Sequence, residues 1–155
     1  MEVLLNYKIH RNFLPIEFCD YVVSNYKDYS GLAPRRDWKA LSVDKEPLYS
    51  EILEIFSPIV GYKFNAKWIN ISEYEPGESL GSHRDDESTL TIVSEISDGY
   101  TGGRFILDNT YIELNKGDVI CFDGSKVSHG VEPIGEGKRL SLNMWTLPKL
   151  KKTLM

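Results

Sequence analysis

The sequence predicts a mainly β (α+β) protein: a double-stranded β-helix, or jelly roll, braced by N-terminal helices. Three observations lead there. Between Leu14 and Ile59, with one irregular interruption at 30–46, apolar side chains recur at helical spacing. From Lys63 onward the spacing drops to two, so that successive residues belong to opposite faces. The later apolar runs are short, and turn residues separate them at regular intervals, as in sandwiches and barrels. Helices first and many strands after is an α+β order. A chain of 155 residues, 41% hydrophobic and 26% charged, suits one domain spanning 1–155.

The elements follow in order. Leu14-Pro15 opens a helix with Ile16, Cys19, Val22, Val23 and Tyr26 on its apolar face, and Pro15 sits near the first helical position, where its missing N–H does no harm. Residues 30–46 (SGLAPRRDWKALSVDKE) carry Gly, Pro and mixed charge and read as a long loop, the best candidate for a substrate-covering lid. Arg35, Arg36 and Trp38 there are either substrate contacts or a salt-bridged surface with one anchoring tryptophan. A second helix starts at Pro47, with Leu48, Ile52, Ile55, Phe56 and Ile59 on one face. Residues 66–74 then alternate Trp68, Asn70, Ser72 and Tyr74 against Ile69 and Ile71. Strand-like runs follow at 89–96, 103–107, 110–114, 118–123 and 139–146, divided by turns such as Glu75-Pro76-Gly77, Asp108-Asn109 and Gly135-Glu136-Gly137.

Composition narrows the function classes. The net charge of −5 argues against a broad nucleic-acid footprint, which needs a basic face. No apolar run approaches the ~18 residues of a membrane span, so no membrane partner is expected. MEVLLNYKIH lacks a basic region followed by an apolar one, so no signal peptide is read and a cytoplasmic, intracellular location is expected. Cys19 and Cys121 lie inside apolar stretches and read as buried free thiols. The tail PKLKKTLM reads as a solvated end.

The chemistry concentrates around GSHRDDEST. His83 and Asp85 are two apart, so on extended chain they share a face and reach one ion, with Arg84 turned the other way. A third ligand has to come from His10 or His129. Two imidazoles and a carboxylate on one side of an ion leave the opposite positions open, the facial arrangement suited to non-haem Fe(II) and O2. Ten residues beyond His129, the last strand divides by parity: Arg139, Ser141, Asn143 and Trp145 on one face, Leu140, Leu142 and Met144 on the other. A guanidinium with a hydroxyl two residues on is well built to grip a carboxylate.

YEPGESLGSHRDD, TGGRF, LNKGDVICFDG and HGVEPIGEGKRLSLNMW together resemble the Fe(II)/2-oxoglutarate-dependent dioxygenases, in particular their prolyl-4-hydroxylase-like branch, from about residue 66 to 147. RNFLPIEFCDYVV is similar to the helix that opens such domains. The resemblance implies that His83, Asp85 and His129 are the iron ligands and that Arg139, assisted by Ser141, holds the distal carboxylate of 2-oxoglutarate. Tyr74 matches a tyrosine of the co-substrate pocket, or is a rim aromatic. Gly102-Gly103 and Lys116-Gly117-Asp118 match structural turns of the family. Asp86 and Glu87 either hydrogen-bond behind the ligands or form a solvated acidic turn. One departure stands out: where relatives often carry a tyrosine, TIVSEIS places Ser94 or Glu95, and Thr91 is then a candidate for the second hydroxyl.

The implied activity is hydroxylation of an unactivated C–H bond with Fe(II), 2-oxoglutarate and O2, giving succinate and CO2, with ascorbate as an admissible accessory. The implied substrate is a protein or peptide side chain such as proline. The alternative is an AlkB-like nucleic-acid oxidase or demethylase, which the same Y-x-P-G-x-x-L-x-x-H-x-D stretch resembles. Such enzymes carry asparagines where this chain has Ser72 and Ser141, and a second arginine where it has Trp145. A non-catalytic jelly-roll binding module is the third reading.

Overall fold

A computed structural model describes residues 7–34, 39–60, 66–86 and 90–146. Eleven strands and two helices are found among them: β1 (Tyr7–His10), α1 (Ile16–Asn25), β2 (Ser30–Pro34), β3 (Lys39–Val43), α2 (Leu48–Val60), β4 (Ala66–Tyr74), β5 (Leu80–His83), β6 (Leu90–Glu95), β7 (Phe105–Leu107), β8 (Thr110–Ile112), β9 (Val119–Asp123), β10 (His129–Val131) and β11 (Arg139–Thr146). A 3-10 turn, Tyr26–Tyr29, continues α1. Seven strands form one sheet in the order β1-β9-β6-β11-β4-β3-β2, and four form a second in the order β5-β10-β7-β8. Every strand pair is antiparallel. The expected jelly roll with N-terminal helices is what the chain forms.

The large sheet is buried on both faces, and strand parity divides the work. Ile69 and Ile71 of β4, Leu90 and Ile92 of β6, Cys121 of β9, and Leu142 and Met144 of β11 pack with Leu14, Cys19 and Val22 around α1 and Leu48, Ile52 and Phe56 of α2. The opposite faces meet the small sheet, where Tyr74, Val93, Ile120 and Phe122 join Phe105, Leu107 and Val131. The helices thus bury one side of the large sheet and leave the other to form a chamber with the second sheet. Burial of this kind contributes roughly 25 cal/mol per Å² of apolar surface removed from water.

Two boundaries, 66–74 and 139–146, coincide with β4 and β11, and the other expected strands shorten by one or two residues. The reading of 30–46 as a loop is corrected: Ser30–Pro34 and Lys39–Val43 pair as a hairpin that extends the large sheet beyond β4. Ala40, Leu41 and Val43 are buried there, and Ala40 and Leu41 stand opposite Ser72 and Ile71. Pairing with β4 supplies hydrogen bonds that Gly, Pro and charge made invisible in isolation. Arg35, Arg36 and Trp38, the expected lid contacts, lie outside the described residues. Three short strands, β1, β5 and β10, have no clear signal in the sequence and exist through their partners.

Cys19 and Cys121 are free and buried, as expected. Burial pushes the first thiol up to about 11 and the second up to about 12, so neither is a thiolate at neutral pH. No helix among the described residues is long and apolar enough to cross a membrane.

Candidate metal centre and cavity

His83 ends β5, His129 begins β10, and the two stand directly opposite each other in the small sheet. Their rings lie 4.4 Å apart. Asp85 follows β5 by two residues, off the strand, where its N–H donates to the carbonyl of Gly124 at 2.8 Å. Oδ1 of Asp85 comes to 3.5 Å from Nε2 of His83 and to 3.5 Å from Nε2 of His129. Among the described residues these three donors lie within 4.8 Å of one another, a group able to hold one metal ion. His10, the other candidate for a third ligand, is at the end of β1 against Phe13 and takes no part.

The surroundings prepare each donor. Nδ1–H of His83 donates to the carbonyl of Gly81, and Nδ1–H of His129 to that of Val127, both at 2.9 Å. A carbonyl can only accept, so in the neutral rings the Nε2 lone pairs are left facing Asp85. Oδ2 of Asp85 is met by Oγ1–H of Thr91 and Nε1–H of Trp145, each at 3.4 Å, which leaves Oδ1 as the oxygen turned to the histidines. Burial pushes the Asp85 carboxyl up, but imidazoles that carry a proton on Nε2 donate to it and hold it well below the usual carboxylate range, so the same point attracts protons when no metal ion occupies it. Two lone pairs and an ionised oxygen converging on one point repel each other until a cation sits between them. The donor set therefore fits a divalent metal of the nitrogen-and-oxygen type. Gly124 belongs to this construction: a Cβ there would overlap Oδ2 of Asp85 and crowd Oγ1 of Thr91.

From this trio a cavity of about 340 Å³ runs between the sheets. One wall is the polar parity face of β11, with Arg139, Ser141, Asn143 and Trp145 in register with Tyr74, Ser72, Asn70 and Trp68 of β4. Val93, Phe105 and Val131 make the apolar wall. Asn143 Nδ2 lies within hydrogen-bonding distance of Asn70 and Ser72, both at 2.9 Å, and of Ser141 at 3.2 Å. Trp68 and Trp145 stack at 4.9 Å near the metal-ligand end.

Arg139 forms the other end, with only 1% of its side chain exposed. Tyr74 lies under its guanidinium at 5.3 Å. Gly103, at φ 64°, lets Ile134 approach beside Arg139 and Tyr100: a Cβ would overlap Ile134. The side chain with which Arg139 pairs is Glu95, whose Oε2 lies 3.2 Å from Nε and 3.0 Å from Nη2.

The structure thus gathers His83, Asp85, His129, Arg139, Ser141 and Tyr74 around one chamber. It settles the departure in TIVSEIS: Ser94 faces the helices and Glu95 the cavity side, as alternation along β6 requires. Thr91, the candidate for the second hydroxyl, lines the cavity and lies within reach of Asp85. Asp86 is exposed at the cavity mouth, and Glu87 lies outside the described residues. Sequence reasoning missed Gly124 and the indole of Trp145 as supports of Asp85. The parity of β11 placed Trp145 on the right face, while nothing local marked Gly124. The turn Lys116-Gly117-Asp118 does more than close a hairpin. Asp118 is buried and accepts from the backbone of Asn12 and Asn115 and from Arg11, while Glu95 N–H donates to its carbonyl and Gly117 N–H to that of Glu95.

A jelly roll enclosing two histidines and one carboxylate, with a buried arginine across the cavity, defines the class of metal-dependent oxygenases. Residues 69–147, more than half of the chain, match the 2OG-Fe(II) oxygenase superfamily, and the protein belongs to that family. A PKHD-type hydroxylase of Idiomarina loihiensis is 26% identical over 96 residues, 54% of this chain and 44% of that protein, so the match spans less than half of the relative's length. The viral collagen prolyl hydroxylase of Paramecium bursaria Chlorella virus-1, in its 2-oxoglutarate complex, superposes with a TM-score of 0.74 at 19% identity, over 92% of this chain and 96% of its own. A Trichoplax adhaerens prolyl hydroxylase in complex with a peptide of the hypoxia inducible factor does so at 0.72 and 14% identity, over 96% and 86%. At these identities the likeness is one of fold.

Proposed function

We propose that the protein hydroxylates an unactivated C–H bond on a protein or peptide side chain such as proline, using Fe(II), 2-oxoglutarate and O2 and releasing succinate and CO2. The observation that carries this reading is the convergence of His83, Asp85 and His129 at one end of a cavity that has Arg139 at the other. The peptide class is supported by the hydroxylase relative and by the fold shared with prolyl hydroxylases, one of them holding a peptide.

In this reading Nε2 of His83, Nε2 of His129 and Oδ1 of Asp85 hold the iron. When bound, iron and 2-oxoglutarate supply the oxidising chemistry, one oxygen atom of O2 going to the C–H carbon and the other to the co-substrate as it loses CO2. Everything else is positioning. Thr91 and Trp145 hold Oδ2 of Asp85 so that the carboxylate offers one oxygen. Arg139 takes the distal carboxylate of the co-substrate and fixes its direction, with Ser141 and Tyr74 beside it. Val93, Phe105 and Val131 keep water from the space between. The mouth, with Asp86 and the stacked Trp68 and Trp145, receives the substrate.

The test is a substrate screen on iron-loaded protein with 2-oxoglutarate, in which proline-containing peptides and methylated oligonucleotides compete and products are read by mass. Peptide gaining one oxygen is expected. Demethylated oligonucleotide beside unmodified peptide would replace the peptide reading with the nucleic-acid one.

A further inference from the structure

Glu95 is a carboxylate held against Arg139, which lines one end of the cavity. It stands on the cavity-side face of β6, opposite Ser141 of β11. Its side chain is 2% exposed and that of Arg139 is 1% exposed, so the pair is dry. One oxygen, Oε2, faces both Nε and Nη2 of the guanidinium. Nη1 makes no hydrogen bond among the described residues, so the guanidinium has donors left to give. Tyr100 lies on the loop after β6, near enough to influence the charge of both partners. The backbone of Glu95 is pinned on both sides by the Gly117-Asp118 turn. The carboxylate is therefore held from behind, and does not follow the guanidinium wherever it moves.

A single guanidinium carries one positive charge, and Glu95 already balances it. A ligand carboxylate reaching Arg139 enters the same water-poor space as a second negative charge. At an effective dielectric constant near 20, two like charges a few Å apart oppose each other by several kcal/mol before relaxation. Burial leaves the Glu95 carboxyl above its ordinary value, although Arg139 and Tyr100 pull it down.

We propose that Glu95 is a positioning residue that acts through Arg139. It occupies the Nε edge of the guanidinium, leaves the remaining donors for the distal carboxylate of the co-substrate, and by its own charge limits how tightly that carboxylate is held. The inference rests on the reading of Arg139 as the co-substrate anchor.

The test measures binding to the full-length Mn(II)-loaded protein by calorimetry without O2. The probes are 2-oxoglutarate and 2-oxobutyrate, which share the chelating 2-oxo acid and differ in the distal carboxylate. Glu95→Gln keeps shape and an acceptor but removes the charge. It is expected to bind 2-oxoglutarate at least about tenfold more tightly than wild type and 2-oxobutyrate unchanged, whereas Glu95→Asp stays close to wild type. Equal or weaker 2-oxoglutarate binding by a folded Glu95→Gln protein would overturn the inference. A second measurement needs no variant: the wild-type preference for 2-oxoglutarate over 2-oxobutyrate should be below about thirty-fold (about 2 kcal/mol), and a larger preference overturns the proposal. If wild type binds neither probe, it is the proposed function that fails, and this inference with it.

Discussion

The two ends of the cavity are built on different physical terms. At the metal end, His83 and Asp85 are neighbours in sequence, and the side chain of His83 is 40% exposed. Its donors are aimed by nearby carbonyls: those of Gly81 and Val127 each lie two residues from the histidine they orient. At the arginine end, Glu95 and Arg139 are 44 residues apart, almost fully buried, and brought together by the register of β6 against β11. A site that must accept a metal and a substrate tolerates water, because the ion itself provides most of the local field. A site that must recognise a carboxylate gains from being dry, because a charge-assisted hydrogen bond weakens when water competes. The contrast is that local geometry suffices for metal donors, whereas a buried ion pair demands the whole sheet.

Variants that damage one end and spare the other test that contrast. The largest effect is expected for Asp85→Ala. Metal affinity should fall by more than about 100-fold, beyond what loss of an outer partner costs, and succinate formation should disappear. Calorimetry with Mn(II) reads the first and product mass the second; retention of both would remove Asp85 from the site. Arg139→Gln comes next. It leaves Glu95 buried without its cation, so unfolding in denaturant should show a loss of about 3–5 kcal/mol, with metal affinity unchanged in the folded protein. If metal affinity dropped as well, the two ends would not be independent.

Gly124→Ala is a finer probe of the metal end. Its Cβ would press on Oδ2 of Asp85 and on Thr91. Metal affinity should fall by about 10–100-fold while co-substrate affinity in metal-saturated protein changes little. The smallest effect belongs to Asp118→Asn, behind the arginine end. Burial pushes the Asp118 carboxyl up, but the backbone N–H groups of Asn12 and Asn115 and the guanidinium of Arg11 hold it below its ordinary value. A carboxyl depressed in the folded state stabilises above its unfolded pKa, and that contribution is lost as pH falls through the folded one. The variant should therefore be about 1–2 kcal/mol less stable than wild type at neutral pH, and the difference should shrink below about pH 4. A constant difference across that range would mean that the ionised form is not what stabilises the turn.

Much of the molecule was legible in the chain, and the reasons are specific. β4 and β11 showed their full extent because their alternation is strict, with apolar residues toward the helices and polar ones toward the cavity. His83 and Asp85 could be joined to His129 because few histidines competed. The β2–β3 pair was not legible, since β3 is anchored by its pairing with β4 and the composition is that of a loop. β5 and β10 were missed for a related reason: strands of three or four residues have too little period to register, yet they carry both histidines. The approach of Thr91 to Asp85 was not legible either, because it depends on where the chain beyond β5 turns back against β6.

By itself the sequence determined residue chemistry and strand parity: which side chains ionise, which can ligate, and which share a face. Parity is local, fixed by the two-residue repeat of an extended chain, and needs no partner strand. Tertiary structure decided everything that depends on register. Whether Ser94 or Glu95 entered the cavity side, whether Arg139 stood free or paired, and which oxygen of Asp85 was left for a metal all turn on the alignment of distant strands. A slip of one residue would reverse each answer. Closing the two sheets then buried Arg139 and Glu95 at one end of the cavity and left His83 partly exposed at the other, a difference that burial creates and sequence alone does not.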